Sequence, residues 1–502
     1  MTVDTPGWVR DAVFYQIFPD RFASSERVPK PGPLEPWDEP PTNHGFKGGD
    51  LRGIVERLDY LADLGVTAIY LTPIFQSASN HRYHTYDYFH VDPLLGGDDA
   101  LRELLDVAHE RGMRVILDGV FNHTGRGFWP FHHILENGAA SPYRDWFHID
   151  LEVLEGRREF LPYPPRDAGP GTLFGYQAWW NLPALPKLNT DHPDVREYLL
   201  SIAEHWLRFG IDGWRLDVPA EIDDPAFWAA FRQRCRAIRD DVYLVGEIWV
   251  VAPDWVAGDR FDALMDYPLA EAILGYVGGS SLDLGIVGAH HEYRDHLVPL
   301  DGPAFAGRLL ELLAVYDPDV VAVQLNLLSS HDTPRALTVL GGDRSAMRMA
   351  VLLQCVLPGA PCIYYGDEVG MEGGNDPANR GGFPWDAARW DEELRGFVRA
   401  ALAVRAGEPA LRHGATIAVG AEGAAMAIER RLDDTRLILA LNPGDEPADL
   451  EVTVDDVGTG WLAPIALPGI DDLEAVVVTD GRARIAVPAR SGRLLRVALD
   501  AA

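Results

Sequence analysis

Eight short apolar runs, alternating with segments of helical period, constrain this chain more than any other feature. They are Ala12 to Phe18, Val66 to Thr72, Arg114 to Val120, Gly213 to Val218, Tyr243 to Trp249, Ala263 to Tyr267, Ala322 to Ser330 and Pro361 to Gly366. Each is apolar on both faces, as a strand covered by helices must be. Between them, Leu51, Ile54, Leu58 and Leu61 keep helical spacing up to Gly65. Leu101, Leu104, Leu105 and Ala108 do so up to Gly112, and Val195, Tyr198, Leu199, Ile202, Trp206 and Leu207 up to Gly210. Strand and helix in alternation predict a parallel sheet, and eight strands are the number that closes a barrel: the expected fold class is α/β, a (β/α)8 TIM barrel.

Three stretches break this rhythm. Ser24 to Pro41 is too rich in proline for regular structure and reads as a long loop after the first strand. From His123 to Leu188 the period fails in a stretch dense in Trp, Tyr, Phe, Pro and Gly, which reads as an excursion after the third strand without a clean helix. From about Ala415 short alternating runs such as Thr435 to Leu441 and Leu450 to Val454, with turn residues between them, predict a C-terminal antiparallel β-sandwich. The expected division is therefore 1–123 and 189–412 for the barrel, 124–188 for the inserted domain and 413–502 for the β domain.

Of the 502 residues 47% are apolar, enough for a large core, and 44 basic against 76 acidic residues give a formal charge of −32. That balance argues against nucleic acid as a partner. No stretch reaches the roughly 18 apolar residues of a membrane span, and the first residues, MTVDTPGWVRD, carry no basic segment followed by an apolar one. Cys235, Cys355 and Cys362 have no metal-like spacing and read as free buried thiols. A cytoplasmic protein is the expectation.

In such barrels the strand C-termini form the reaction face. Asp118, Asn122 and His123 fall at the end of the third strand, Arg215 and Asp217 at the fourth, Glu247 at the fifth, and His331 with Asp332 at the seventh. Arg215 and Asp217 are two apart and so leave the same face of a strand, where the guanidinium should favour the ionised acid and lower its pKa. Glu247 stands among apolar neighbours that should raise its own and keep it protonated. A charged carboxylate beside a protonated one fits glycoside hydrolysis, in which one acid attacks the anomeric carbon and the other protonates the leaving oxygen. Asp332 is left to bind hydroxyls and support the charged transition state. Tyr83, Tyr86, Trp179, Trp180 and Trp249 are candidate platforms for the apolar faces of sugar rings, although core packing competes for each.

These residues lie in motifs. DGVFNH at 118 to 123, GWRLDVPAE at 213 to 221, GEIW at 246 to 249 and SSHD at 329 to 332 resemble the four principal motifs of the α-amylase superfamily, glycoside hydrolase family 13. LPKLN at 185 to 189 and CIYYGDEVGMEGGNDP at 362 to 377 are similar to stretches of its neopullulanase and cyclomaltodextrinase group. The resemblance implies a retaining α-glucan hydrolase with Asp217 as nucleophile, Glu247 as acid/base and Asp332 as transition-state stabiliser. It further implies that Tyr83, Asp118, His123, Arg215, Glu221, Trp249, His331, Asp376 and Arg380 bind substrate or orient the acids. The chain starts almost at the barrel, where that group usually begins with a β domain, and VPAE stands where VANE is usual.

The expected substrates are short or cyclic α-glucosides: cyclodextrins, maltooligosaccharides, pullulan fragments or a cyclic maltosyl-maltose. A transglycosylase or isomerase using the same covalent intermediate is the alternative, and a non-catalytic sugar-binding barrel a more distant one. No cofactor is required for the chemistry. A structural calcium ion is entertained at Asp20, Asn43 and Asp50, a homodimer is left open, and linkage and chain length are not legible.

Overall fold

The computed structural model describes residues 3–165, 173–470 and 474–499. All eight apolar runs carry strands: β1 Phe14–Ile17, β2 Ala68–Leu71, β3 Arg114–Gly119, β4 Gly213–Leu216, β5 Tyr243–Gly246, β6 Ala263–Leu264, β7 Leu325–Leu327 and β8 Ala360–Tyr364. They pair in parallel in chain order, and β8 returns to β1 with Cys362 opposite Phe14. A parallel bridge from Met265 to Leu325 joins β6 to β7 and closes the barrel.

Alternation along each strand sorts the side chains. Phe14, Ala68, Tyr70, Ile116, Tyr243, Val245, Leu325 and Cys362 fill the interior, while Tyr15, Ile69, Leu71, Val115 and Leu244 pack outward. The helices Gly97–Glu110 and Pro193–Phe209 bury the apolar faces read from their spacing. The second of these ends at Gly210, whose φ of 117° takes the left-handed turn that a side chain resists.

Two readings need correction. Leu51 to Leu64 is not one helix but two, Leu51–Val55 and Leu58–Leu64, with a turn at Glu56 and Arg57. Leu51, Ile54, Leu58 and Leu61 stay buried across it, so the period could not reveal the break. The excursion after β3 does contain a helix, Trp129–Asn137, started by Pro130 and burying Pro130, Phe131 and Ile134. Nine residues give too few turns for a period to show. Of that excursion, 166–172 lie outside the described residues.

The excursion leaves and rejoins the barrel at one point. His123 bridges Lys187 and Phe147 bridges Leu188, with Leu188 N–H bonded to Asn122 O at 3.0 Å. That crossing brings residues 176–188 over the end of β3. The C-terminal part is one eight-stranded antiparallel sheet, and its two terminal strands, Ala415–Glu422 and Ala448–Thr453, lie against each other. The sheet thereby doubles over a core that includes Ile438, Leu450, Val452, Leu462, Ile485 and Leu495.

Candidate active site

Arg215, wholly buried at the end of β4, organises the barrel mouth. Its Nη1 lies 2.8 Å from Asp118 Oδ1 and 3.1 Å from Asp217 Oδ1; its Nη2 lies 3.0 Å from Glu247 Oε2 and 4.0 Å from Asp332 Oδ2. One guanidinium therefore faces four carboxylates from the ends of β3, β4, β5 and β7. Asp118 is held from the other side by the hydroxyls of Tyr70 at 2.8 Å and Tyr83 at 2.9 Å. It is buried, and its contacts hold Arg215 in place.

Arg215 was expected to hold Asp217 below the ordinary carboxylate range, and it does not. Burial pushes Asp217 well above that range; Arg215 opposes this, and the charges of Glu247, Asp118 and Asp332 add to the rise. Glu247 is pushed up to about 7, first by burial and against the pull of Arg215. Burial thus raises both Asp217 and Glu247 against the pull of Arg215, and the two titrate as one interacting pair. With Glu247 neutral, one of the charges opposing ionisation of Asp217 is gone.

A turn directly after Asp217 shapes this pair. Val218 has φ 35°, a left-handed conformation that a β-branched residue adopts only under constraint. The turn aims Val218 N–H at Glu247 Oε2, 2.9 Å away, so backbone strain beside one acid places a donor on the other. Trp249 Nε1 donates to Glu247 Oε1 at 3.2 Å, and its ring lies flat on Tyr267 at 3.6 Å.

The remaining site candidates divide. His331 is buried and burial drives its pKa down, which leaves a neutral ring. Gln16 Nε2 donates to its Nδ1 at 2.8 Å, which puts the ring proton on Nε2, facing Asp332 Oδ2 at 3.1 Å and the hydroxyl of Tyr83. His123 is neutral too, pushed to about 3 by burial, and its Nε2 has no hydrogen-bond partner among the described residues. Arg380 binds His331 O at 2.7 Å, Asp332 Oδ1 at 3.3 Å and Asp376 Oδ1 at 3.0 Å. Glu221 lies farther out, half-exposed and paired with Lys187 Nζ at 3.2 Å.

Two cavities flank the cluster. One of about 410 Å3 is lined by Arg21, His81, His84, Arg126, Asp376 and Arg380 among others, and the other, of about 400 Å3, by Tyr176, Trp179, Trp180, Lys187 and Glu221 among others.

The cation candidates do not fit a metal. Asp20 accepts from Lys47 N–H at 2.9 Å and lies 3.0 Å from Arg21 Nε; Asp50 caps a helix at Gly53 N–H and lies 2.8 Å from Lys30 Nζ. Their oxygens are committed to positive side chains, the reverse of what a cation site offers, and Asn43 contributes only a carbonyl bond from Asn80 at 3.2 Å. Among the described residues no cluster of three His, Cys, Asp or Glu could hold a metal. Sequence reasoning passed over Gln16, Tyr70 and the Val218 amide. A single amide inside the apolar run AVFYQIF was the available signal for Gln16; nothing in the sequence marked the amide of Val218.

A closed eight-stranded barrel whose carboxylates meet at the C-terminal mouth, beside an inserted domain and a C-terminal β domain, defines a barrel glycoside hydrolase. The alpha-amylase catalytic domain matches residues 16–412, and the chain belongs to that family. It is 44% identical to a cyclomaltodextrinase of Geobacillus thermopakistaniensis over 91% of this chain and 73% of that one. The native form of a Nostoc punctiforme debranching enzyme is 44% identical, covers 99% of this chain and 100% of its own, and superposes with a TM-score of 0.87. A cyclic alpha-maltosyl-(1→6)-maltose hydrolase from Arthrobacter globiformis, solved with that sugar, is 34% identical with the same coverage and a TM-score of 0.82.

Proposed function

We propose that this chain is a retaining α-glucan hydrolase of short or cyclic α-glucosides, working by double displacement with Asp217 as nucleophile, Glu247 as acid/base and Asp332 as transition-state stabiliser. The observation that carries this reading is the buried Arg215, which touches Asp217 and Glu247 with adjacent nitrogens while Glu247 stays protonated up to about pH 7. A retaining enzyme requires the two carboxyl groups about 5 to 5.5 Å apart, without the wider gap that admits a water between them.

In the first step Glu247 gives its proton to the glycosidic oxygen as that bond breaks, and Asp217 bonds to the anomeric carbon. In the second, the ionised Glu247 takes a proton from water, whose oxygen displaces Asp217 from the same carbon. Arg215 compensates the charge of Asp217 before and after. His123, His331 and Asp332 present neutral donors and an acceptor to the hydroxyls of the sugar being cleaved, and Asp376 with Arg380 holds the next sugar.

The substrate class is supported by what the relatives are named for, cyclic dextrins and branched or α-1,6-linked glucans. Three free, buried thiols suit a reducing, cytoplasmic address. The test is a time course of products, resolved by linkage and anomer, from β-cyclodextrin, pullulan, maltotriose and cyclic maltosyl-maltose. Opening of a cyclic substrate to α-anomeric short glucans is the expected result. β-Anomeric products would overturn the retaining mechanism, and new linkages accumulating in place of hydrolysis would make the enzyme a transferase.

A further inference from the structure

Of the four carboxylates that face Arg215, Asp332 is the most exposed. Its side chain is 29% exposed, against 8% or less for Asp118, Asp217 and Glu247, and Arg215 Nη2 stands 4.0 Å away from it. Packing therefore fixes this carboxylate least, and its position depends on the main chain that carries it. A group that must meet a developing charge has to be held there before the reaction starts.

That main chain is held from two sides. His331 O accepts from Asn379 Nδ2 at 2.8 Å and from Arg380 Nε at 2.7 Å, and Thr333 O accepts from Asn379 Nδ2 at 2.8 Å. Both donors come from the loop after β8. Asp332 N–H donates to Ser330 Oγ at 3.1 Å. The carbonyl of Asp332 takes its donor from elsewhere, His290 Nε2 at 3.0 Å.

His290 follows the helix Leu284–Ala289, in the connection between β6 and β7, outside every motif that carries the acids. It is buried, and its Nδ1 accepts the Tyr293 N–H at 3.2 Å. A main-chain N–H only donates, so Nδ1 carries no proton and Nε2 does, which makes the ring a donor toward Asp332 O. Burial lowers its pKa and keeps the ring neutral. Its own backbone is fixed as well: His290 N–H bonds Val287 O at 3.2 Å, and Arg294 N–H bonds His290 O at 3.0 Å. A histidine that only closed this turn would be complete with the Tyr293 bond; the second nitrogen reaches the end of a different strand. The ring also lies 6.1 Å from that of Trp249, the residue bonded to Glu247. That contact is loose and tilted, whereas the one to Asp332 is a hydrogen bond.

We propose that His290 is a positioning residue for the reaction: by donating to Asp332 O it fixes the carboxylate of Asp332 where positive charge develops on the sugar. The inference rests on the hydrolase reading above. His290 touches no substrate in this role and acts through Asp332, so it governs the rate of the chemical steps and leaves substrate binding alone.

The test compares His290→Ala, His290→Phe and His290→Gln with the parent on two substrates. Maltotetraose carries a sugar chain as leaving group; α-maltosyl fluoride carries none, and its fluoride needs no proton from Glu247. Both pass through a transition state that Asp332 supports. The proposal predicts a fall in kcat of about tenfold on both substrates for His290→Ala and His290→Phe, with KM within about twofold. His290→Phe fills the place of the ring, so the comparison stands even where His290→Ala does not fold. His290→Gln, whose amide donates to Asp332 O and accepts from Tyr293 N–H, should recover kcat to within about threefold. Parent-like kcat in His290→Phe, no recovery in His290→Gln, or a rise in KM with kcat retained would overturn the proposal. So would a loss confined to maltotetraose, which would route the effect through Trp249 and Glu247. Failure of the parent enzyme to consume α-maltosyl fluoride would instead sink the hydrolase reading on which the positioning depends.

Discussion

The two cavities beside the acids are nearly equal in size, about 410 and about 400 Å3, and differ in what lines them. The first combines the charged groups Arg21, Arg126, Arg380 and Asp376 with His81 and His84, both driven to the neutral form by burial, His84 to about 4, and with the apolar surfaces of Ala78, Tyr86, Ala184 and Pro377. Arg380 ties it to Asp332. The second sets the rings of Phe174, Tyr176, Trp179 and Trp180 among polar groups, Asp150, Gln177, Asn181 and the Lys187–Glu221 pair. Hydrogen bonds discriminate because a lost partner leaves a buried polar group unsatisfied, whereas stacking tolerates rotation and changes of linkage. On the function proposed above, the first cavity would take the donor sugar, since Arg380 joins it to Asp332.

Asp217 belongs to neither cavity, so its removal should erase the difference between them. Asp217→Asn is expected to lower kcat on the order of 10^4-fold for maltotetraose and α-maltosyl fluoride alike. A carboxyl whose pKa is raised by folding stabilises the fold at low pH and loses that contribution as pH climbs through the raised value. At neutral pH the neutral amide should therefore raise the melting temperature. Activity surviving on either substrate would place the nucleophile elsewhere.

Glu247 should separate the two sides. Glu247→Gln is expected to cost about 10^2- to 10^4-fold on maltotetraose, whose leaving oxygen needs a proton. With azide supplied to complete the second step, α-maltosyl fluoride should be consumed within a few-fold of the parent rate. The parent's kcat/KM on maltotetraose should fall as pH rises through about 7, where Glu247 loses its proton, and this limb should be absent for the first step with the fluoride. A limb shared by both substrates would assign it to another group.

Arg380→Ala tests the first cavity. It removes contacts to His331 O, Asp332 and Asp376 that hold the donor side, so about a 10- to 100-fold loss in kcat/KM should appear on both substrates. Loss on maltotetraose alone would put Arg380 on the leaving side and break the comparison.

How much of this the sequence disclosed follows from burial. A strand of a covered parallel sheet writes an unbroken apolar run, so all eight were visible, and a polar residue closing such a run has few places to go except the mouth. Asp217, Glu247 and Asp332 could be placed for that reason. Partners from distant strands could not. Arg215 is visible two residues from Asp217, but the three other carboxylates that share it are not, and the direction of the Asp217 shift was misread accordingly. Trp179 and Trp180 are identical letters side by side; only the fold of 176–188 over β3 stacks Trp179 on both His123 and Trp180 and leaves Trp180 62% exposed. The Trp129–Asn137 helix was too short to declare a period, and the break after Val55 kept its apolar face and so left none to see.

The smallest effect probes the second cavity. His291 lies at right angles to Trp180 with 5.2 Å between ring centres and is half-exposed, paired at 3.8 Å with Glu292. An exposed aromatic contact contributes about 0.5 to 1 kcal/mol, so His291→Ala should change kcat/KM for maltotetraose about two- to fivefold. The bond to Asp332 O belongs to its neighbour His290, so kcat should stay within about twofold. A loss of kcat equal to that of His290→Ala would show that the two histidines act through packing and not through that bond. Combining His291→Ala with Trp180→Ala then decides how this wall of the cavity is built: coupling between the substitutions marks rings that act together, and additivity marks two separate contacts.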